Sequence, residues 1–171
     1  MKSAHKSARK PAGRIGAAVL NALLIVIAVA LPLSAQAPGV WTLSGNLNTA
    51  RANHTAAMLP NGQALIVGGT DSSGNVLSSA EIFSLSNNTF TTVPGLGTGA
   101  SGLTATALSD NTVLLAGGLD GSGKPLAAAE LYDPSQSAFI PLSSMNTARS
   151  HHSATILSDG RVLIAGGSGT S

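Results

Sequence analysis

The side chains most able to do chemistry in this sequence recur in one phase, at multiples of 49 residues. A single catalytic or ligand site draws different groups from different parts of a chain, whereas a residue that recurs at one phase serves each structural unit alike. Arginine and glutamate form charge-assisted pairs, so we expect the recurring Arg and Glu to pair within or between units as scaffold. The set is Arg51 and His54, Arg149 and His152, and Glu81 and Glu130.

Two glycine-containing loops each carry one aspartate, Asp71 and Asp120, and weakly resemble calcium loops. A calcium ion needs six to eight oxygen ligands, and one carboxylate per loop falls well short. His151 and His152 are adjacent, and adjacent residues of a strand point to opposite faces. There is also no Ser/His/acid set, phosphate loop or zinc-ligand spacing. The sequence therefore predicts no catalytic residue, no metal site and no cofactor.

These residues belong to a larger repeat whose clearest marker is an apolar run ending in Gly-Gly. The runs occupy 63–69, 112–118 and 161–167, so consecutive copies are 49 residues apart. Fixed self-similarity at this period indicates a repeat architecture. The other structural markers in the same phase are Gly68, Gly69, Gly117, Gly118, Gly166 and Gly167, the aromatics Trp41, Phe90 and Phe139, and Tyr132, which corresponds to Phe83.

Each period predicts four short antiparallel strands, which is typical of a propeller blade. In the first period they are 54–59, 63–69, 79–85 and a strand opened by Phe90. The first strand is rich in Ala, Thr and Ser, which suits an innermost position where blades converge. Corresponding strands are predicted at 103–108, 112–118, 128–134 and from Phe139, then at 152–157 and 161–167.

The Gly-Gly after an apolar strand, Glu-Leu-Tyr-Asp-Pro at 130–134 and the following aromatic resemble the kelch family. The Arg-x-x-His pattern is similar to that of bacterial galactose-oxidase-like propellers. The resemblance implies an all-β, kelch-type β-propeller that is partial, with repeats 41–89, 90–138 and 139–171. The middle repeat departs from it, because Ala100 and Leu103 replace Arg and His after the loose stretch 95–102. We expect that blade to lack whatever the Arg/His pair does in its neighbours.

The N-terminus reads as a targeting segment. A basic region ends at Arg14, an apolar run covers 15–31, and small residues follow up to Ala37. This predicts a signal peptide over 1–37, cleaved after Ala37 or Ala35. An uncleaved signal anchor is the alternative, because this run of 17 residues, which includes Asn21, is at the lower limit for spanning a bilayer. The expected location is secreted, periplasmic or cell surface, with membrane contact only through this segment.

Charge excludes a nucleic-acid partner. Five of the nine basic residues lie within the first 14 positions, and all seven acidic residues lie beyond them. The part after the leader therefore carries a net charge of −3 and has no basic footprint. The absence of cysteine is compatible with export and excludes disulfides as the basis of the fold.

The strand count predicts an arc rather than a closed propeller. One outer strand opened by Trp41, two full blades and two inner strands give eleven strands within the repeats of 38–171. A complete propeller has about four to eight blades, or roughly 300–350 residues at about 50 per blade. We expect this chain to be a piece of a longer protein whose further blades complete it. Self-association is the less favoured alternative.

Because strand directions alternate, the loops after the second and fourth strands share one side of the blades, here called the loop face: 45–52, 70–77, 95–102, 119–125 and 143–150. Binding residues are usually carried by such loops. The candidates are Asn48, Arg51, Asp71, Asn75, Asp120, Lys124, Asn146 and Arg149.

Three classes of function remain open at this point. The first is a non-catalytic, exported module that binds a glycan or protein ligand at the cell surface. The second is the N-terminal piece of a galactose-oxidase-like or other carbohydrate-active enzyme, with its catalytic residues in other blades. An anchored surface protein is a third possibility if 15–31 is retained.

Overall fold

The computed structural model describes residues 42–169, and every regular element in this range is a β-strand. The targeting segment 1–37 and Trp41 lie outside the described residues. No helix within the described range is long and apolar enough to cross a membrane.

The strands form two complete four-stranded antiparallel sheets followed by two strand pairs. The first sheet contains β1 (Thr55–Met58), β2 (Ala64–Val67), β3 (Ala80–Ser84) and β4 (Thr89–Val93), in that order. The second sheet contains β5 (Thr104–Ala107), β6 (Val113–Ala116), β7 (Ala129–Asp133) and β8 (Ala138–Pro141). The remaining strands are β9 (Arg149–Ser150), β10 (Ser153–Ile156), β11 (Val162–Ala165) and β12 (Ser168–Gly169); β10 pairs with β11, here called the third sheet, and β9 with β12.

The two complete sheets share one register, which confirms the 49-residue repeat. Glu81 lies opposite Ile66 in the first sheet, as Glu130 lies opposite Leu115 in the second. The cross-strand aromatic pairs repeat as well: Phe83–Phe90 and Tyr132–Phe139 both have ring centroids 4.9 Å apart.

The hairpins between the first two strands of each sheet use residues that tolerate positive φ, as the sequence predicted. Gly62, Asn111 and Gly160 occupy the same phase, with φ of 79°, 72° and 84°. Glycine and asparagine adopt this conformation at low cost. The turn chemistry therefore fixes each inner hairpin independently of its neighbours.

The hydrophobic core lies between consecutive sheets. Leu59, Leu65 and Val67 of the first sheet are buried together with Leu103 and Leu115 of the second. The innermost strands adjoin one another, since β5 contacts both β1 and β10. This confirms that the small-residue strand is the inner strand of each unit.

The Gly-Gly pair joins each sheet to the next. Gly69 N donates to Ala100 O at 2.9 Å, and Gly118 N donates to Arg149 O at 2.9 Å. Gly68 has φ +67°, and a Cβ there would overlap the Ala100 carbonyl oxygen. Glycine is required because the next repeat's backbone occupies the place of a side chain.

Two features differ from the sequence expectation. No strand forms over 42–47, the residues that follow Trp41; instead Gly45 N donates to the Asn88 side chain at 3.2 Å. The short pair β9–β12 was not predicted. At the corresponding positions of the other two units there is only an isolated β-bridge, between Ala52 and Thr70 and between Ser101 and Leu119. In the third unit a second residue pair joins this bridge and makes it a short strand pair.

Candidate functional site

The loops of the loop face contact one another directly. Ala100 N donates to Leu77 O at 3.2 Å, and Arg149 N donates to Leu126 O at 3.0 Å. The loop that leads into each new sheet is thus hydrogen-bonded to the preceding unit, at the connection between that unit's second and third strands. The arrangement brings the candidate residues to one side of the sheets.

In the first sheet the recurring arginine and glutamate form a buried ion pair. Arg51 Nη2 lies 2.8 Å from Glu81 Oε1, and the two side chains are 0% and 1% exposed. Arg51 also donates to Gly68 O, to Ser79 O and to the Ser79 hydroxyl. The Arg–Glu pairing predicted from the recurrence is confirmed within one unit.

Glu81 also accepts two backbone hydrogen bonds. Asn48 N and Thr49 N donate to its carboxylate at 2.7 and 3.0 Å. Burial alone would raise the pKa of Glu81, but these N–H groups and the Arg51 guanidinium outweigh it, so the pKa lies below its usual value. Glu81 is therefore an ionised, fully satisfied structural group that ties the entering loop to β3.

The second sheet has the same glutamate without its arginine. Gly97 N donates to Glu130 Oε1 at 3.1 Å and to Oε2 at 3.3 Å, as Asn48 N does in the first sheet. Ala100 and Ala128 stand where Arg51 and Ser79 stand. A cavity of about 10 Å³, roughly the space of one water molecule, lies between Ala100, Ala128 and Glu130.

A groove opens beside this glutamate on the loop face. It has a volume of about 470 Å³ and lies between the loop at 95–98 and the end of β8. In the first sheet the Asn48 side chain donates to Phe90 O at 3.1 Å. Gly97 has no such side chain. The groove is lined by Gly95, Gly97, Thr98, Ala128, Ala129, Glu130, Phe139, Pro141, Leu142 and Ser144.

Glu130 joins the two spaces, because Thr98, Ala128 and Glu130 line both the small cavity and the groove. Within residues 42–169 no arginine, lysine or histidine lies within ion-pair distance of its carboxylate. The carboxylate is half-buried and accepts hydrogen bonds from one backbone N–H. The arrangement can accept a cationic N–H donor that arrives through the groove.

In the third unit the arginine and histidine take different roles. Arg149 Nη1 donates to Gly166 O at 2.8 Å. The buried His152 ring contacts Thr104 Oγ1 of the second sheet at 2.9 Å. Burial, followed by the charges of Arg149 and His151, lowers the pKa of His152. This histidine is a neutral contact between units.

Asp71 and Asp120 close their own loops. Asp71 accepts from the backbone of Ser73 and Asn75, and Asp120 accepts from Ser122 and Lys124 in the same pattern. Hydrogen bonding, led by the Asn75 and Ser122 side chains, lowers the pKa of each aspartate. Across residues 42–169 no group of three or more acidic or histidine side chains is placed to hold a metal ion.

The other candidates divide between structural and surface positions. The Asn75 side chain donates to Asp71 at 2.9 Å, and the Asn48 side chain is held by β4. Arg51 does not reach the loop surface. Lys124 and Asn146 are exposed on their loops.

Sequence reasoning classified Glu130 as scaffold and did not name Thr98 or Ser144. The available signal was the departure of the middle repeat: a retained glutamate, a missing arginine and the glycine-rich stretch 95–102. A charged residue that has lost its recurring partner indicates either a solvated group or a partner supplied from elsewhere.

A protein-family model described as the Kelch motif matches residues 50–97 and 102–146, which together make up more than half of the chain. The two matched ranges coincide with the first and second sheets and their entering loops. No curated protein matches the chain.

Proposed function

The chain belongs to the Kelch motif family, and from this premise we propose that it is an exported, non-catalytic binding module that holds a protein ligand on its loop face. The groove of the second sheet takes a basic side chain of that ligand. The carrying observation is Glu130, a half-buried carboxylate in a groove at the position where the first sheet neutralises its glutamate with Arg51.

The first sheet supplies a template for the chemistry of the contact. A guanidinium beside Glu81 pairs with the carboxylate and with the carbonyl oxygens of Gly68 and Ser79. Of the corresponding groups of the second sheet, Glu130 and Ala128 line the groove, whereas Gly117 lines only the small cavity, so a ligand's cation would meet Glu130 from the groove side. A hydrogen bond to a charged group contributes about 1.5–3 kcal/mol, which makes an arginine or lysine the natural anchor of a ligand.

The surroundings favour a protein over a glycan. The five loops of the loop face contain no aromatic residue on which a sugar ring could stack. The four described aromatics pair with one another across strands of the two sheets, and Phe139 is the one aromatic side chain in the lining of the groove. The net charge of −3 after the leader favours encounter with a basic partner.

A displayed random-peptide library selected on the full chain tests the binding proposal. We expect the enriched peptides to contain arginine or lysine. Glu130→Gln should weaken them about tenfold or more, as loss of one charge-assisted contact of about 1.5–3 kcal/mol implies. Isothermal titration of single synthetic peptides measures the change.

The matched control is Asp159→Asn, which removes the same charge from a hairpin residue that pairs with Arg161 and does not line the groove. It should bind the peptides like wild type. Peptides without a basic residue, or equal binding by Glu130→Gln, would contradict the proposal. Selective binding on a glycan array would show that the ligand is a carbohydrate and not a protein.

Export has a separate test. N-terminal sequencing of the protein recovered from the medium, periplasm or cell surface should give a start directly after Ala35 or Ala37. A protein that begins at Met1 or Lys2 would show that the segment is retained, and recovery only from the cytoplasm would contradict export.

A further inference from the structure

We propose that Asn61 is a site of spontaneous covalent modification, at which deamidation converts the asparagine into the aspartate that the other two units already carry. The hairpin between β1 and β2, residues 59–63, supplies both reacting groups. The proposal does not depend on the ligand of the loop face.

Asn61 is the only asparagine in the sequence that is followed by glycine. Asparagine is a thermally labile residue, because the backbone nitrogen of the next residue can attack its side-chain amide carbon. A side chain on that next residue hinders the attack, and Gly62 has none. The space beside Gly62 is open as well, since a Cβ placed there would meet no atom within 4 Å.

The hairpin is in contact with solvent because of its place in the fold. Asn61 and Gly62 are both exposed. The corresponding residues of the second sheet, Asp110 and Asn111, are exposed too, although the inner strand of that sheet lies between β1 and β10. The tips of the inner hairpins therefore remain in solvent even where a unit has neighbours on both sides, and water can reach Asn61.

The other two units show that an aspartate fits this position. Asn61 corresponds to Asp110 and Asp159. Oδ1 of each residue accepts a hydrogen bond from the backbone N–H two residues further on, which is a common way for Asn and Asp to form a turn. The distance is 3.1 Å in every unit, and the donors are Gln63, Thr112 and Arg161. An aspartate at position 61 can accept the same bond.

Two hydrogen bonds of the hairpin oppose the reaction and set its pace. Gly62 N donates to Leu59 O at 3.0 Å, and Asn61 Nδ2 donates to the Gln63 side chain at 2.7 Å. Both bonds must open before Gly62 N can approach the Asn61 amide carbon. Exposed loops open locally far more often than a whole domain unfolds. We therefore expect deamidation in the folded chain, at a lower rate than in an unstructured peptide.

The reaction needs only water as a co-reactant. Gly62 N loses its proton and bonds to Cγ of Asn61, while the bond from Cγ to the side-chain nitrogen breaks and ammonia leaves. The resulting cyclic imide takes up one water molecule and opens. Cleavage between Cγ and Gly62 N gives aspartate, and cleavage between the backbone carbonyl carbon and Gly62 N gives isoaspartate. No group is oxidised or reduced, and the hairpin gains one negative charge.

The two products should affect the fold differently. Aspartate keeps the backbone unchanged and can accept the bond from Gln63 N. Isoaspartate continues the chain through Cγ, which lengthens the backbone by one methylene group. The turn holds Gly62 at a φ of +79° and bonds Gly62 N to Leu59 O, and an extra backbone atom disturbs both. We expect isoaspartate to weaken the pairing of β1 with β2.

Peptide mapping by mass spectrometry tests the site on the full chain, incubated folded at mildly alkaline pH. The peptide that contains Asn61 should gain one mass unit and separate into an aspartate and an isoaspartate form. Asn111 is the internal control, because it lies in the same hairpin of the second unit but precedes Thr112. A synthetic peptide of residues 58–65 sets the time scale. No detectable change at Asn61 once that peptide is fully converted, or an equal change at Asn111, would overturn the proposal.

Urea denaturation of two variants tests whether the fold accepts the product. Asn61→Asp should have the same midpoint as freshly prepared wild type, because the aspartate keeps the turn. Asn61→Gln, whose longer side chain forms the cyclic imide far less readily, should show no gain in mass at this position after incubation. A clearly lower midpoint for Asn61→Asp would show that the first unit does not accept the residue of the other two, and a gain in mass at position 61 of Asn61→Gln would show that attack by Gly62 N is not the cause.

Discussion

The first and second sheets each have a glutamate at the same repeat position, but its surroundings differ between the two sheets. Glu81 is buried with Arg51 and ionised, whereas Glu130 is half-buried beside a groove with no described cation. The strand register and the Gly-Gly contact are nevertheless the same in both sheets. The fold therefore depends on the glycine pair and the apolar strands, and it tolerates the loss of the ion pair.

The loss is tolerated because other residues changed with it. Ala100 and Ala128 replace the arginine and the serine that bonds to it, and the buried Leu103 replaces the histidine, while the buried Leu96 corresponds to Leu47 and is unchanged. Replacing a buried ion pair by well-packed apolar residues is often neutral or stabilising, whereas removing one partner is costly. The second sheet is an example of coordinated replacement, and the first sheet is where single removal can be tested.

Among the variants that test this comparison, Arg51→Ala should cause the largest loss of stability. It leaves the Glu81 carboxylate buried without its cation, so we expect a loss of about 3–5 kcal/mol in the free energy of unfolding. Urea denaturation at neutral pH, monitored by circular dichroism, measures this loss.

Two further variants identify the cause. Arg149→Ala removes a guanidinium whose hydrogen bond to the Gly166 carbonyl is exposed to solvent, so it leaves no buried charge behind and should cost no more than about 1 kcal/mol. Arg51→Ala/Glu81→Gln should be more stable than Arg51→Ala alone, because the uncompensated charge is gone. Equal costs for Arg51→Ala and Arg149→Ala would show that the buried pair does not matter.

Ala100→Arg tests whether the second sheet can form the buried Arg–Glu ion pair that the first sheet has. The cavity beside Glu130 has room for about one water, so a guanidinium must displace Leu96 or Leu103. We expect overpacking to lower the free energy of unfolding by about 1–3 kcal/mol, even though the Glu130 carboxylate is available to pair with the new arginine. Urea denaturation, compared with Ala128→Ser as a small control substitution, measures it.

A stabilising Ala100→Arg would contradict this reading. It would mean that the second sheet lacks only the arginine, and that Leu96 and Leu103 can move aside for it with little loss of stability. In that case Glu130 would be a scaffold residue that lost its partner, and the groove would be a weaker candidate for ligand binding.

The repeat period predicted the strands closely because each unit encodes its own turns and apolar run. The segment 79–85 was predicted and β3 covers Ala80–Ser84. The Arg51–Glu81 pair was also predictable, since two residues that recur together with opposite charge have few other roles in a scaffold. The family match supports the same architecture.

The groove was not predictable, because it results from side chains that are missing. Sequence shows that Gly97 replaces Asn48 and Ala100 replaces Arg51, but whether the backbone closes over the space or leaves it open depends on packing. Loop position also gave no indication that the Arg51 side chain turns inward. The pair β9–β12 depends on a backbone approach between units that no local pattern encodes.

The smallest expected effect concerns the histidine position, which is Leu103 in the second unit and His152 in the third. Burial and neighbouring positive charge lower the pKa of His152 below its ordinary 6.5, so the unfolded chain takes up this proton more readily than the folded one. Stability should therefore be complete above about pH 6.5 and fall as the pH decreases through the lowered pKa. His152→Leu, which copies the second unit, should remove this part of the pH dependence and change the stability at pH 8 by only about 1 kcal/mol, the value of the lost hydrogen bond to Thr104. His54→Leu, at the exposed counterpart, should keep the dependence, and urea denaturation between pH 5 and pH 8 compares the three proteins. An unchanged pH profile in His152→Leu would mean that the buried histidine is not the neutral contact between units that its surroundings indicate.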